Sequence, residues 1–161
     1  VVAAAQSSPA LRFHWTHLGG GEQFTALQAA ATAAPENLTC QFPGQVPAEH
    51  VLGHYRQHPV DVLLSVSASE GIPVSMMEAA SCGIPIVATA VGGVPEIVTA
   101  ETGLLVSADP TAAEVAAALL ECATSPRLRR SGAAEHWSRH FDCRRNALHF
   151  AEQLRTLAPP S

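Results

Sequence analysis

Hydrophobic positions along the chain alternate between short apolar runs and longer stretches with helical spacing. The apolar runs predict strands near residues 11–17, 38–42, 60–66, 84–88 and 103–106. The longer stretches predict helices near residues 22–34, 48–57, 74–82, 94–99 and 111–124, followed by the last helices over 126–157. Strands that alternate with helices are typical of βαβ units and a parallel sheet. The pattern therefore predicts an α/β fold, a Rossmann-like parallel sheet with helices on both faces.

One stretch, Glu70-Gly-Ile-Pro-Val-Ser-Met-Met-Glu78, follows the apolar run at 60–66 and leads into the next predicted helix. Pro73 suits the first turn of a helix, where its missing N–H would have no partner in any case. Gly71 leaves room for the backbone to approach a ligand. The free N–H groups at the start of a helix favour an anion. The stretch therefore predicts an anion-binding turn between a strand and a helix.

The two acidic residues of this stretch have seven residues between them. Glu70 lies at the carboxyl end of the predicted strand, which is where ligands bind in open α/β sheets. Glu78 lies among apolar helix residues, so we expect it to be partly buried and to need hydrogen-bond donors, a role that sugar hydroxyls can fill. A purely structural interpretation stays open at this point. In that interpretation Glu70 is an acid favoured at a helix start, and Glu78 faces solvent.

Five other segments accompany this stretch: His17-Leu-Gly-Gly-Gly-Glu22, Phe42-Pro-Gly-Gln-Val46, Ser81-Cys-Gly-Ile-Pro85, Val91-Gly-Gly-Val-Pro-Glu-Ile-Val98 and Thr102-Gly-Leu-Leu-Val106. Together, in this order, the segments resemble the C-terminal, donor-binding half of a family 4 glycosyltransferase. Members of that family are retaining enzymes of the two-domain GT-B fold that use nucleotide-activated sugars. The resemblance spans roughly residues 11 to 110, which makes it more specific than a single motif.

The resemblance implies a role for each matching residue. Glu78 matches the acid that binds the ribose hydroxyls of the donor nucleotide. Glu70 matches the acid that contacts the donor sugar and helps to hold it for transfer, so it is the candidate catalytic residue. The main chain of Val46 matches the position that contacts the nucleobase edge. For the glycines at 19–21, a tight turn and a ligand contact both stay open. The backbone expected to lie along the sugar and diphosphate belongs to Gly71, Ile72, Pro73 and Val74.

The resemblance also divides the chain. Residues 1–10 would be the remnant of a preceding helix or linker, and residues 11–125 an incomplete nucleotide-sugar-binding domain whose first strand is missing. Residues 126–161 would form the C-terminal helices. The family clamps the donor diphosphate with an Arg and a Lys near that first strand, but this chain has no lysine, and Arg12 lies within the strand predicted at 11–17. The N-terminal, acceptor-binding domain is absent as well, so we expect the chain alone to be inactive.

The function implied by the resemblance is transfer of a hexosyl group from a nucleoside-diphosphate sugar to a hydroxyl acceptor, with retention of configuration. The acceptor would be a carbohydrate or a lipid-linked molecule bound by the absent domain, in polysaccharide or glycolipid biosynthesis. The family needs no metal, so we expect no cofactor besides the donor substrate. Two alternatives stay open: an inactive fragment that binds nucleotide sugars, and a sugar-nucleotide epimerase of the GT-B type.

The charge distribution bears on partners and location. The net charge of −5 argues against nucleic acid binding. Most arginines lie from Arg127 onward, where they would form a solvated helix face or contact the anionic inner leaflet of a membrane. We find no apolar run of membrane-spanning length and no signal peptide, so we expect a cytoplasmic protein, with peripheral association at the inner face of the plasma membrane as the open addition. On the last helices we expect an exposed apolar stripe of Trp137, Phe141, Leu148 and Phe150.

Three histidines, His50, His54 and His58, recur every four residues along one predicted helix. Such spacing can hold a zinc ion. Because Val51 and Tyr55 form the apolar face of the same helix, we expect the histidines on its outer side, without a metal.

Overall fold

The computed structural model describes residues 1–124 and 126–157. Its five strands are β1 (Phe13–Leu18), β2 (Leu38–Gly44), β3 (Leu63–Ser65), β4 (Ile86–Thr89) and β5 (Gly103–Val106). The helices of the described residues are α1 (Val2–Ser7), α2 (Phe24–Ala31), α3 (Ala48–Gln57), α4 (Val74–Ser81), α5 (Val94–Ile97), α6 (Ala112–Thr124), α7 (Pro126–His140) and α8 (Cys143–Leu157). Strands and helices alternate as the apolar pattern predicts, which confirms the α/β class.

All strand pairs are parallel, but the strands form two hydrogen-bonded groups. β1 pairs with β2, and β3, β4 and β5 form a second sheet in that order. A doubly wound sheet has the order 3-2-1-4-5-6. If β1 to β5 stand for strands 2 to 6 of that order, the division falls where the first strand would lie. The absent first strand and the boundaries at residues 10 and 125 stay predictions, with which this division is consistent.

Burial differs sharply between β4 and β3. β4 lies between two partners and is buried at every position, whereas Leu63 and Leu64 of β3 are only half-buried. β3 has one partner, so one of its edges is open within the described residues. Phe13 of β1 and Leu64 of β3 pack against the same apolar cluster, which is centred on Val87 and Leu119. The two sheets therefore share a core although no ladder joins them.

Residues 1–10 contribute structure of their own. α1 packs against α6, and Ala4 is fully buried in the core cluster. The side-chain amide of Asn37 donates hydrogen bonds to the carbonyl oxygens of Ala5 and Leu11, at 3.0 and 2.9 Å. These bonds attach α1 to the start of β2, so the first residues are integrated into the fold.

The apolar stripe predicted on the C-terminal helices is packed against the core on α7 and exposed on α8. Trp137 and Phe141 pack against the cluster around Met76, because α7 lies on α4, so their predicted exposure is wrong. Leu148 and Phe150 of α8 are 69% and 61% exposed, as predicted. Among the described residues, no helix combines the length and apolar character needed to cross a bilayer.

Candidate functional site

The candidate site is the connection from β3 to α4. α4 begins at Val74, and Pro73 is its N-cap residue in an extended conformation, one position before the first turn in which we expected it. The N–H of Met76 donates to the carbonyl oxygen of Pro73 at 3.1 Å. No side chain caps this end of α4, and Val74 and Ser75 are exposed. The amino end of α4 is therefore open to solvent, which suits an anion.

The loop before α4 carries Glu70, which is half-buried. Neighbouring elements hold this loop through hydrogen bonds and apolar packing. The hydroxyl of Thr89 donates to the carbonyl oxygen of Ser67 at 2.6 Å, and the side chain of Ile72 packs against the core. Gly71 is exposed, and a Cβ atom there would meet nothing within 4 Å. The open space beside Gly71 is compatible with the close approach of a ligand that the sequence predicts.

Glu78 lies on α4 and is half-buried, as expected from its apolar neighbours. α3 packs against α4, and Tyr55 of α3 lies close to Glu78. The pKa of the Tyr55 hydroxyl is raised, first by burial and then by the negative charges of Glu78 and Cys82. None of the described hydrogen bonds reaches the Glu78 carboxylate. Its acceptor capacity is therefore open to an added donor such as a sugar hydroxyl.

Val46 lies at the carboxyl end of β2, where two glycine loops meet. The N–H of Gly19 donates to the carbonyl oxygen of Gly44 at 2.9 Å, and Gly44 adopts a φ of +78°. Val46 is half-buried and precedes α3, whose far side contacts α4. Within the described residues no hydrogen bond joins Val46 to Glu70 or Glu78. The structure thus groups residues 70–74 with Glu78 and places Val46 on the β1–β2 side.

Two arginines, Arg12 and Arg56, precede the candidate site in the sequence. Arg12 precedes β1 and is exposed, which corrects its predicted position within the strand. Since β1 has six residues, a length of about 20 Å separates Arg12 from the carboxyl end of that strand. Arg56 lies in the last turn of α3, remote from Val46 at the other end. No described hydrogen bond or ion pair joins either arginine to residues 70–74.

Two of the three histidines of α3 stack on each other. The imidazole rings of His54 and His58 are stacked with centroids 4.4 Å apart. The pKa of His54 is lowered, first by burial and then by the neighbouring His58. His50 and His58 are exposed on the outer side, where all three histidines were expected, whereas His54 is half-buried. Over residues 1–124 and 126–157 no group of three or more His, Cys, Asp or Glu side chains is arranged to hold a metal ion.

A family model described as glycosyl transferases group 1 matches residues 2–125. The chain belongs to this family. The match includes both sheets, the Glu70 loop and α4, so the matched region contains the candidate site.

Several relatives resemble this group 1 glycosyltransferase domain over part of their length. D-inositol 3-phosphate glycosyltransferase of Pseudarthrobacter chlorophenolicus is 36% identical over 90 residues, which are 55% of this chain and 21% of the relative. The amylovoran biosynthesis glycosyltransferase AmsK of Erwinia amylovora is 28% identical over 112 residues, 67% of this chain and 28% of the relative. The chain thus spans less than a third of either protein.

Solved structures extend the likeness to the fold. Anabaena Alr3699/HepE in complex with UDP and glucose superposes with a TM-score of 0.72 at 23% identity, over 95% of this chain and 42% of that chain. Sucrose-phosphate synthase from Thermosynechococcus elongatus gives 0.70 at 20% identity, over 98% and 49%. These are GT-B glycosyltransferases, so the chain is the Rossmann-like part of a GT-B fold, as predicted.

The structure adds site-forming residues that the sequence left without a role. Gly92 and Gly93 lie against the backbone of Glu70 and Gly71, and the Thr89 hydroxyl bonds to the Ser67 carbonyl. Two adjacent glycines in the segment that follows the apolar run at 84–88 were the available signal, because glycine often marks a close backbone approach.

Proposed function

We propose that this domain binds a nucleoside-diphosphate sugar at the carboxyl ends of its strands. Glu78 accepts hydrogen bonds from the ribose hydroxyls, and Glu70 accepts hydrogen bonds from the donor sugar. The backbone of Gly71 to Val74 lies along the sugar and diphosphate, and the main chain of Val46 contacts the base. The observation that carries the proposal is the position of two half-buried acids on either side of the uncapped amino end of α4.

The proposed reaction is transfer of a hexosyl group to a hydroxyl acceptor with retention at the anomeric carbon. The bond between the anomeric carbon and the diphosphate oxygen breaks, the bond from that carbon to the acceptor oxygen forms, and the departing nucleoside diphosphate takes up the proton of the acceptor hydroxyl. The amino end of α4 stabilises charge that develops on the departing diphosphate. The proposed transfer uses no metal ion. Glu70 holds the sugar in the orientation from which transfer occurs.

The proposal includes an acceptor-binding domain that this chain does not provide. A helix end contributes only about half a unit charge, and a diphosphate needs more. Since no described hydrogen bond or ion pair joins Arg12 or Arg56 to residues 70–74, we infer that the chain by itself binds the donor without turnover. We propose a carbohydrate or lipid-linked acceptor in polysaccharide or glycolipid assembly. Relatives whose names refer to colanic acid and amylovoran biosynthesis support the polysaccharide role.

The proposal places the protein on the cytoplasmic side of a membrane, in peripheral contact with anionic lipid. α8 exposes Phe150 and Leu154, at 61% and 52%, and it carries three arginines against the single acid Glu152. Amphipathic helices of this composition bind lipid–water interfaces.

Isothermal titration of the chain with UDP, UDP-glucose and GDP-mannose tests donor binding. We expect one base to be preferred and the sugar nucleotide of that base to bind with a measurable Kd. Absence of binding for all three compounds would contradict the proposed site. Retention is measured separately, from the anomeric proton coupling of the product once an acceptor-binding domain is supplied.

A further inference from the structure

Gly92 and Gly93 lie directly against the backbone of the loop that carries Glu70. A Cβ atom at Gly92 would overlap the carbonyl oxygen of Glu70. A Cβ atom at Gly93 would lie 2.7 Å from Cγ1 of Ile72 and 3.0 Å from the carbonyl oxygen of Gly71. The N–H of Gly93 donates a hydrogen bond of 3.1 Å to that same Gly71 oxygen. The loops after β3 and β4 therefore meet backbone to backbone, with no room for a side chain at either glycine.

Core packing and a hydrogen bond to β5 hold the segment that contains the two glycines. Val94 is fully buried in the cluster around Met76, and Val91 packs against that cluster. The N–H of Ala90 donates to the carbonyl oxygen of Val106 at 2.9 Å, which attaches the segment to β5. The segment is thus held by β5 at Ala90 and by the core at Val94. A side chain added at Gly92 would therefore push the Glu70 loop away from a segment that is held at both ends.

We propose that Gly92 and Gly93 are positioning residues for the donor sugar. Their bare backbone sets the position of Glu70 and thereby the contribution of the sugar to donor affinity. This inference rests on the sugar-binding role of Glu70 proposed above. Gly92 also has a φ of +51°, a conformation that residues with side chains adopt rarely, so two constraints favour glycine there. Loss of hydrogen bonds to a charged acceptor weakens binding by about 10- to 100-fold, so a small displacement of Glu70 matters.

A merely structural role would give a different result, and Gly132 provides the matched control. Gly132 lies in α7, and a Cβ atom there would overlap the carbonyl oxygen of Glu101 in the loop between α5 and β5. Like Gly92, it therefore lies against the backbone of another segment. Gly132→Ala should therefore lower stability without a selective effect on the sugar.

The test compares Gly92→Ala, Gly93→Ala and Gly132→Ala by titration with a nucleotide and its sugar nucleotide, UDP with UDP-glucose or GDP with GDP-mannose. For the first two variants we expect the affinity ratio of sugar nucleotide to nucleotide to fall by about tenfold or more, while nucleotide affinity changes by less than about twofold. Gly132→Ala should leave the ratio unchanged. Equal loss for both ligands, or an unchanged ratio in Gly93→Ala, would overturn the inference. If Gly92→Ala does not fold, Gly93→Ala decides.

A ligand-free measurement separates this inference from the proposed function. In amide NMR spectra, Gly93→Ala should shift the signals of residues 70–72, and Gly132→Ala should shift those of residues 99–102 instead. Unchanged signals at 70–72 would refute the positioning contact whether or not a nucleotide binds. If the wild-type chain binds neither nucleotide pair while the signals shift as expected, the proposed function fails and the contact stands.

Discussion

The hydroxyl of Thr89, which is buried at the end of β4, donates a hydrogen bond of 2.6 Å to the carbonyl oxygen of Ser67. This bond connects the rigid central strand to the loop that leads to Glu70. Thr89→Val keeps the shape of the side chain but leaves the Ser67 carbonyl without this donor. We expect a loss of about 1–2 kcal/mol in the free energy of unfolding, measured by urea denaturation. Thr89→Ser keeps the hydroxyl and should recover most of the hydrogen-bond contribution; an equal loss in both variants would assign the effect to packing.

Substitutions at the two acids should affect the binding of the nucleotide and the binding of the sugar differently. Glu78→Gln removes a charged acceptor of two ribose hydroxyls, so we expect affinity for both nucleotide and sugar nucleotide to fall by about 10- to 100-fold. Glu70→Gln should weaken the sugar nucleotide alone. Titration with both ligands measures the split. Identical losses in both variants would remove the separate assignments, and Glu96→Gln, an exposed acid of α5, serves as the control.

His54 predicts a pH dependence of stability. Its pKa in the folded chain is lowered by burial and by His58, so the unfolded chain binds a proton at a higher pH than the folded chain does. Stability should therefore fall as the pH decreases below about 6.5, and the loss ends once the pH passes below the folded pKa. His54→Gln should make the urea midpoint less dependent on pH between about pH 5 and 7. His50→Gln, exposed on the same helix, should leave the wild-type slope, and equal slopes in all three proteins would contradict this assignment.

The contact of α8 with lipid predicts binding that depends on both charge and apolar exposure. The chain should sediment with vesicles that contain phosphatidylglycerol and remain free with vesicles of phosphatidylcholine alone, because anionic lipid attracts arginine. Phe150→Ser should reduce sedimentation. Leu105→Ser, on an exposed position of β5, should not. Equal sedimentation with both vesicle types, or no effect of Phe150→Ser, would contradict peripheral association through α8.

Local sequence patterns predicted the bounds of some helices and strands correctly. α3 and β5 have the predicted bounds, 48–57 and 103–106. β3 is shorter than the apolar run at 60–66, because its ladder with β4 starts at Leu63 opposite Ile86 and the preceding Pro85 has no N–H to extend it. Apolar spacing reports burial but does not name the partner strand. The division into two sheets was therefore not visible in the sequence.

Tertiary contacts account for what the sequence missed at the site and on α7. The position of Glu70 and Glu78 around the start of α4 followed from the strand-turn-helix pattern. The approach of Gly92 to Glu70 depends on how two loops from neighbouring strands meet, which no local pattern contains. Trp137 was expected to be exposed because α7 was assigned no partner within the chain, whereas α7 packs on α4.

A crystal structure of the chain with its preferred sugar nucleotide tests the proposed function most directly. We expect the Glu78 carboxylate within hydrogen-bond distance of the ribose hydroxyls and the Glu70 carboxylate within hydrogen-bond distance of hydroxyls of the sugar. The diphosphate should lie at the amino end of α4. A sugar nucleotide bound elsewhere, or bound with neither acid in contact with it, would contradict the assignment.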